Sequence, residues 1–313
     1  MTRSVVLGYW QDRPPLEALA IAEAADRLGY AELWVGEMAT FDAFALATAI
    51  GAQTRLALTI GPLAVQVRSA TGMAMGVASV AALTGRAVHL AVGTSSDAVV
   101  TGWHGRPRTA AAQALEHAAA VLPALLGGER ALGGYRLRLD PPGATLTVAA
   151  FGDRAIEVAA RHADRMVLNM VTVDAVARLR TRLVAACDRL GQPVSPRLAV
   201  WLAAAVEPAE EALTQLARGF VMYLAAPGYG EMFAEAGYGD LVAAARAGAH
   251  PRELLAAVPP SLLRDVALVG PAAEIEDRIA AYHAAGVDEV CLVPATAGDP
   301  AGERTLGALG PAR

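Results

Sequence analysis

Two hydrophobic patterns alternate along the chain: short unbroken runs rich in Val, Leu and Ile, and longer stretches whose apolar residues recur with a helical period. The first pattern marks strands buried on both faces, the second helices with one apolar face. Strands are predicted at 3–9, 32–35, 55–60, 87–92, 146–150, 164–170, 198–206 and 289–293, with a further apolar run at 266–269. Pro14-Pro15 opens a helix through Leu16, Leu19, Ala20, Ala24 and Leu28 that Gly29 closes. Asp42 caps a helix over 43–53, and others are predicted at 69–83, 109–126, 154–162, 174–190, 208–224 and 271–285. Glycines at 127–128, 191 and 286 stop three of them. The region 132–145 is a Gly/Pro-rich excursion with room for a short hairpin, and from about 225 to 263 the period breaks into Gly/Pro-punctuated short helices, read as an insertion.

Strands joined by helices of this length pair in parallel with right-handed crossovers. Eight such units fit an α/β chain of the (β/α)8 TIM barrel class with insertions, and no GxGxxG follows the first strand to favour an open doubly wound sheet. At 313 residues and 55% hydrophobic the chain is expected to form a single domain over 1–313.

The formal charge of -5 provides no basic footprint, which excludes nucleic acid as the main partner. All 26 basic residues are Arg, so Schiff-base or general-base chemistry on a lysine is excluded. Cys187 and Cys291 lie far apart and are expected as buried free thiols. No signal-peptide pattern and no uncharged apolar run of spanning length is present, so the expectation is a cytoplasmic chain without a membrane partner. The six histidines, at 89, 104, 117, 162, 250 and 283, show no metal-ligand spacing. His89 lies inside a strand and reads as a core residue.

Chemistry in such a barrel belongs to the C-terminal ends of the strands. These are Gly8-Tyr9-Trp10, Gly36-Glu37-Met38, Ile60-Gly61-Pro62, the run from Gly93 through Thr94, Ser95 and Ser96 to Asp97, Phe151-Gly152-Asp153, Asn169-Met170, and Trp201 onward. Small and hydroxyl residues there let backbone approach a flat or anionic ligand. Gly152-Asp153, followed by Arg154, and Gly93 to Ser96 are candidate phosphate turns; each also reads as an ordinary capped turn. Glu37 is the best-placed carboxylate, able to accept a proton, to anchor a polar ring edge or to cap a helix start. His104, beside Trp103 in a loop, is the candidate histidine for substrate contact. Trp10, Met38, Trp103 and Trp201 are candidates for an apolar substrate wall or for core packing.

Across nearly its whole length the chain resembles the bacterial-luciferase-like monooxygenases and, within them, the deazaflavin-dependent (coenzyme F420) oxidoreductases. The resemblance rests on Leu28-Gly29-Tyr30-Ala31-Glu32-Leu33-Trp34-Val35, Thr54-Arg55, Arg68, and Leu83-Thr84-Gly85-Arg86 leading to Gly93. It continues in Gly152-Asp153-Arg154 with Ala159, Ala163 and Asp164, and in Gly270-Pro271 with Ala280, Tyr282, Ala284, Ala285, Gly286 and Val287. The resemblance implies a barrel that binds a flavin or deazaflavin at its C-terminal mouth, acts on a small molecule and forms a homodimer. It also implies that Gly61-Pro62 stands where relatives hold a cis peptide under the ring, that Glu37 matches the acidic position after strand two, and that Ser96 and Met38 replace the Glu and His of the sugar-phosphate dehydrogenases. Hydride transfer with coenzyme F420 is the leading expectation for function; an FMN monooxygenase and a non-catalytic cofactor-binding protein are the alternatives.

Overall fold

Strand and helix alternate from β1 to β9 in a computed structural model that describes residues 2–8, 10 and 12–311. The strands are β1 (Thr2–Val6), β2 (Glu32–Val35), β3 (Ala57–Ala64), β4 (Val88–Gly93), β5 (Leu146–Ala149), β6 (Arg165–Asn169), β7 (Arg197–Val206), β8 (Leu268–Gly270) and β9 (Glu289–Pro294). The chain forms two compact units, one of Met1–Gly29, Leu168–Arg180 and Val200–Arg313, the other of Tyr30–Val167 and Thr181–Ala199.

In the second unit β2 to β6 pair in chain order, all parallel. The helices between them, Ala43–Gln53, Ala70–Thr84, Ala111–Leu126 and Asp153–His162, bury one face each. Local signals set their limits. Asp42 accepts hydrogen bonds from the Phe44 and Ala45 amides at 3.0 Å, and Ser69 caps the next helix while Gly85 ends it in the left-handed region.

Gly61 and Pro62 were expected to end β3 and begin a turn; instead the strand runs on to Ala64. Its register against β4 slips between Ile60, opposite Leu90, and Leu63, opposite Val92. The bulge takes Pro62, which has no N–H, out of the ladder at a point where no donor is missed, and Gly61 adopts φ 121°, a value open to glycine. The Gly61-Pro62 peptide is cis.

Strands β2, β3, β5 and β6 also enclose a polar group in this unit's interior. The Arg165 guanidinium donates to Glu32 Oε1 at 2.9 Å, to Thr59 Oγ1 at 2.9 Å and to Thr147 Oγ1 at 3.1 Å, and stacks 4.2 Å from the Trp34 ring centre. Burial alone would push the Glu32 carboxyl up; attraction and hydrogen bonding from Arg165, with Thr59 adding to them, hold it below its ordinary value. His89 accepts at Nδ1 from the Thr145 amide at 3.2 Å, a structural role.

In the first unit β1 pairs with β9 and β7 with β8, again in parallel. Ser4 donates to the buried Glu289 at 2.7 Å, and the Tyr282 hydroxyl donates to the Val171 carbonyl at 2.7 Å. Burial pushes the Tyr282 hydroxyl up to about 12. Residues 225–263 fold as short helices at Tyr229–Phe233, Gly239–Arg246 and Pro251–Ala257 with a π-helical turn at Ala234–Tyr238; the helix Pro260–Val266 follows. A last helix, Glu303–Ala308, has no counterpart among the predicted elements. Both cysteines are buried, and they are not joined in a disulfide.

Candidate active site at the strand ends

The ends of β2, β3, β4 and β5 lie in sequence order in the second unit and carry most of the candidate residues. Glu37, just past β2, accepts the Arg68 guanidinium in a two-pronged contact, Nε to Oε2 at 2.8 Å and Nη2 to Oε1, and takes the Ala43 amide at 3.4 Å. The same Arg68 Nη2 donates to Asp42. The hydrogen bond to Glu37 is the main influence raising the Arg68 pKa, with Asp42 adding to it against the effect of burial. Burial would raise the Asp42 carboxyl; the Ala45 amide and Arg68 outweigh it and bring it below its ordinary value. Glu37 is therefore a committed ion-pair acceptor in this arrangement. Met38 follows it, half-buried.

After the bulge at Gly61-Pro62 the chain turns at 64–68. The Val67 and Arg68 amides donate to the Ala64 carbonyl at 2.9 and 3.0 Å, and the Val65 amide donates to the Gly93 carbonyl at 3.1 Å. Ile60 and Gly61 are buried. At Gly93 the strands come so close that an added Cβ would sit 3.2 Å from the Ala149 Cβ and 3.6 Å from the Pro62 Cβ. A side chain here would need Ala149 to give by a few tenths of an ångström.

Beyond Gly93, Thr94 and Ser95 lead to Ser96, with Ser95 at φ 54° and its carbonyl taken by Arg108 Nε and Nη2 at 3.0 and 2.8 Å. Ser96 Oγ accepts the Val99 amide at 3.3 Å, so this turn is already capped by its own chain. The expected loop at 103–104 is instead the end of a π-helical turn, Ala98–Trp103, with His104 at its C-cap. Trp103 is 49% exposed, and His104 is exposed as well.

The turn after β5 differs. Phe151 is half-buried, and Gly152 takes the N-cap position of the helix Asp153–His162 with no side chain closing it. A Cβ at Gly152 would meet nothing within 4 Å, so this helix start faces open space with first-turn amides pointing outward. The negative charge of Asp153 is answered by Arg182, whose Nε donates to Oδ1 at 2.9 Å, and Arg154 is exposed beside it. Sequence reading left out Arg182 and Arg108, and it placed Arg68 only as a point of likeness; nothing local signals partners that lie 13 to 31 positions away.

Gly8, Trp10 and Trp201 belong to the first unit. Trp10 donates from Nε1 to the Pro294 carbonyl at 3.0 Å and lies so close over Gly8 that a Cβ there would come within 2.3 Å of it. Trp201 is 9% exposed within β7, its carbonyl accepting from the Met170 amide at 3.2 Å. Asn169, at the end of β6, hydrogen-bonds Tyr223 and Tyr229, whose rings stand 4.9 Å apart; burial pushes both hydroxyls up. Tyr9 lies outside the described residues. Among the described residues no group of His, Cys, Asp or Glu is arranged to hold a metal ion, and no helix is long and apolar enough to cross a membrane.

A family model described as luciferase-like monooxygenase matches residues 5–289. Among solved structures, an F420-dependent secondary alcohol dehydrogenase in complex with an F420-acetone adduct aligns at 15% identity and TM-score 0.79, covering 99% of each chain. The coenzyme F420-dependent tetrahydromethanopterin reductase from Methanopyrus kandleri aligns at 15% identity and TM-score 0.79 over 98% of each chain. The oxygenating constituent of 3,6-diketocamphane monooxygenase from Pseudomonas putida, in complex with FMN, aligns at 16% identity and TM-score 0.69, covering 99% of this chain and 96% of the other. Among the curated proteins no sequence matches. At these identities the likeness shows the fold, a (β/α)8 barrel.

Proposed function

Because the chain belongs to the luciferase-like monooxygenase family, we propose that it is an oxidoreductase that transfers a hydride between coenzyme F420 and a small organic substrate. The observation that carries this reading is the open, uncapped start of the helix Asp153–His162, next in order to strand ends made bare by Gly61 and Gly93. The donor set fits a phosphate-bearing flat cofactor. Backbone amides at Asp153 and Arg154 can take an anionic group, Arg182 offsets the Asp153 carboxylate, and the Arg154 guanidinium is free to approach. Gly61, Pro62 and the Gly93 to Ser96 segment would support the ring, since Gly61 and Gly93 leave the backbone there without side chains of its own.

When bound, the deazaflavin supplies the hydride donor or acceptor. The protein's part is to fix the ring, exclude water and place a proton donor near the reacting carbon. Ser96 and His104, on the segment after β4, are the candidates for that donor, and Met38 and Trp103 for the apolar wall. Two of the similar structures are of F420-dependent enzymes, which supports the deazaflavin; a third is in complex with FMN, which keeps a monooxygenase as the second reading.

Titration of the purified protein with coenzyme F420 and with FMN, followed by fluorescence, tests the proposal. The expected result is at least tenfold tighter binding of the deazaflavin, about 1.4 kcal/mol. Tighter FMN binding moves the protein to the monooxygenase reading. Affinity for neither removes the cofactor from the argument.

A further inference from the structure

The turn 64–68, which follows β3, is held to the ends of β2 and β4 within one unit. Its Val65 amide donates to Gly93 at the end of β4, and Arg68 forks onto Glu37 past β2 and reaches Asp42 at the start of the helix Ala43–Gln53. Gln66 Nε2 donates to the Pro107 and Thr109 carbonyls at 3.0 and 2.9 Å, tying the same turn to the segment that follows Ser96 and His104. The Arg68 guanidinium also lies 5.1 Å from the Phe44 ring centre. The Arg68 and Glu37 side chains are 27% and 19% exposed, so the pair is largely withdrawn from solvent and fixed in direction.

We propose that Arg68 is a positioning residue for the cofactor ring, and that Glu37 serves as its anchor and not as the proton acceptor of the reaction. Both Glu37 oxygens are engaged by the fork, and Oε1 also takes the Ala43 amide, so the carboxylate is turned toward Arg68 and the start of the next helix. The fork sets the distance between the β2 and β3 ends, the Val65 contact sets that between β3 and β4, and the ring would lie across both. A lysine cannot reproduce the two-pronged contact, so the device is specific to arginine.

This inference rests on the cofactor reading above, and its test separates the two. Arg68→Gln, Glu37→Gln, the double variant and Arg68→Lys are compared by thermal melting without cofactor, by deazaflavin affinity and by the absorbance spectrum of the bound deazaflavin. The proposal expects each single Gln variant to bind at least tenfold more weakly, about 1.4 kcal/mol. It also expects a shifted bound spectrum and a double variant no weaker than the worse single one, because the two residues act as one unit. Arg68→Lys should recover less than half of the lost affinity on a logarithmic scale. Lowered melting with unchanged affinity and spectrum would make the fork a structural clamp only and overturn the proposal. Losses that add in the double variant would give Glu37 its own contact to the ring, and would overturn it too. If the unsubstituted protein binds neither deazaflavin nor FMN, the cofactor reading fails, and the ring-positioning role fails with it.

Discussion

Replacing Arg165 by Met removes the charge from the centre of the polar group inside the second unit while keeping most of the side-chain volume. The Glu32 carboxylate, 18% exposed, then loses its ion pair, and Thr59 and Thr147 each lose a donor. Breaking a buried pair from one side costs about 3–5 kcal/mol, because the remaining charge stays desolvated. The sign of the pH dependence follows from Glu32. In the intact protein its carboxyl lies below the ordinary 4.5, so its contribution is fully present above that value and is lost as pH falls through the folded value. In the variant burial acts without Arg165 and pushes the carboxyl upward, so the penalty is present at neutral pH and fades as the carboxyl protonates. The difference between the two proteins should therefore shrink on going from about pH 7 to about pH 5. Urea unfolding followed by far-UV circular dichroism at both pH values measures it, and adding Glu32→Gln should recover part of the loss by removing the stranded charge. A cost below about 1 kcal/mol, the range of a surface pair, would refute the reasoning, as would a cost that does not change with pH.

Where the signal is local, the fold was legible in the chain. β2 at Glu32–Val35 and the helix Ala43–Gln53 with its Asp42 cap occupy the residues that the apolar run and the capping aspartate mark. β3 shows the limit. Gly61-Pro62 carries every local mark of a turn, and the strand continues only because β4 lies alongside with a slipped register into which the pair fits. That information resides in a neighbouring strand and leaves no trace in the segment itself. Trp103 and His104 read as loop for a similar reason, since the π-helical bonds of Ala98–Trp103, such as the His104 amide to the Val99 carbonyl, need no strong helix-forming run.

The candidate site was legible as a set of strand ends and illegible as a set of partnerships. Strand ends rich in glycine and hydroxyls point to where backbone can meet a ligand, and the open helix start at Gly152 stands at one of them. The charges are another matter. Glu37 reads as a proton acceptor, ring anchor or helix cap, Asp153 as part of a phosphate turn, and Trp10 as substrate wall or core. Arg68, Arg182 and the Pro294 carbonyl occupy them in turn. Each partner is too far along the chain for a helical or hairpin spacing to announce it, so only the packed structure separates a reactive carboxylate from a committed one.

Two further predictions concern the β3 to β4 connection that frames the site. Ser69→Ala removes the hydroxyl that accepts the Gly72 amide at 3.1 Å and should lower stability by about 1 kcal/mol in chemical denaturation. Gly61→Ala should cost much more, because two effects add. The residue holds φ 121°, which carries about 1–3 kcal/mol for a residue with a Cβ, and the new Cβ would stand 2.1 Å from the Ala91 carbonyl oxygen, a backbone atom of the adjacent strand that can move only with β4. Gly134→Ala separates the two effects: Gly134 holds φ 89° with nothing within 4 Å of an added Cβ, so only the backbone term remains there. Denaturation midpoints of the two variants measured side by side should place Gly61→Ala at least about 2 kcal/mol below Gly134→Ala. Equal losses would mean that β4 yields without cost at Ala91, and that the close approach of the two strands does not hold the bulge in place.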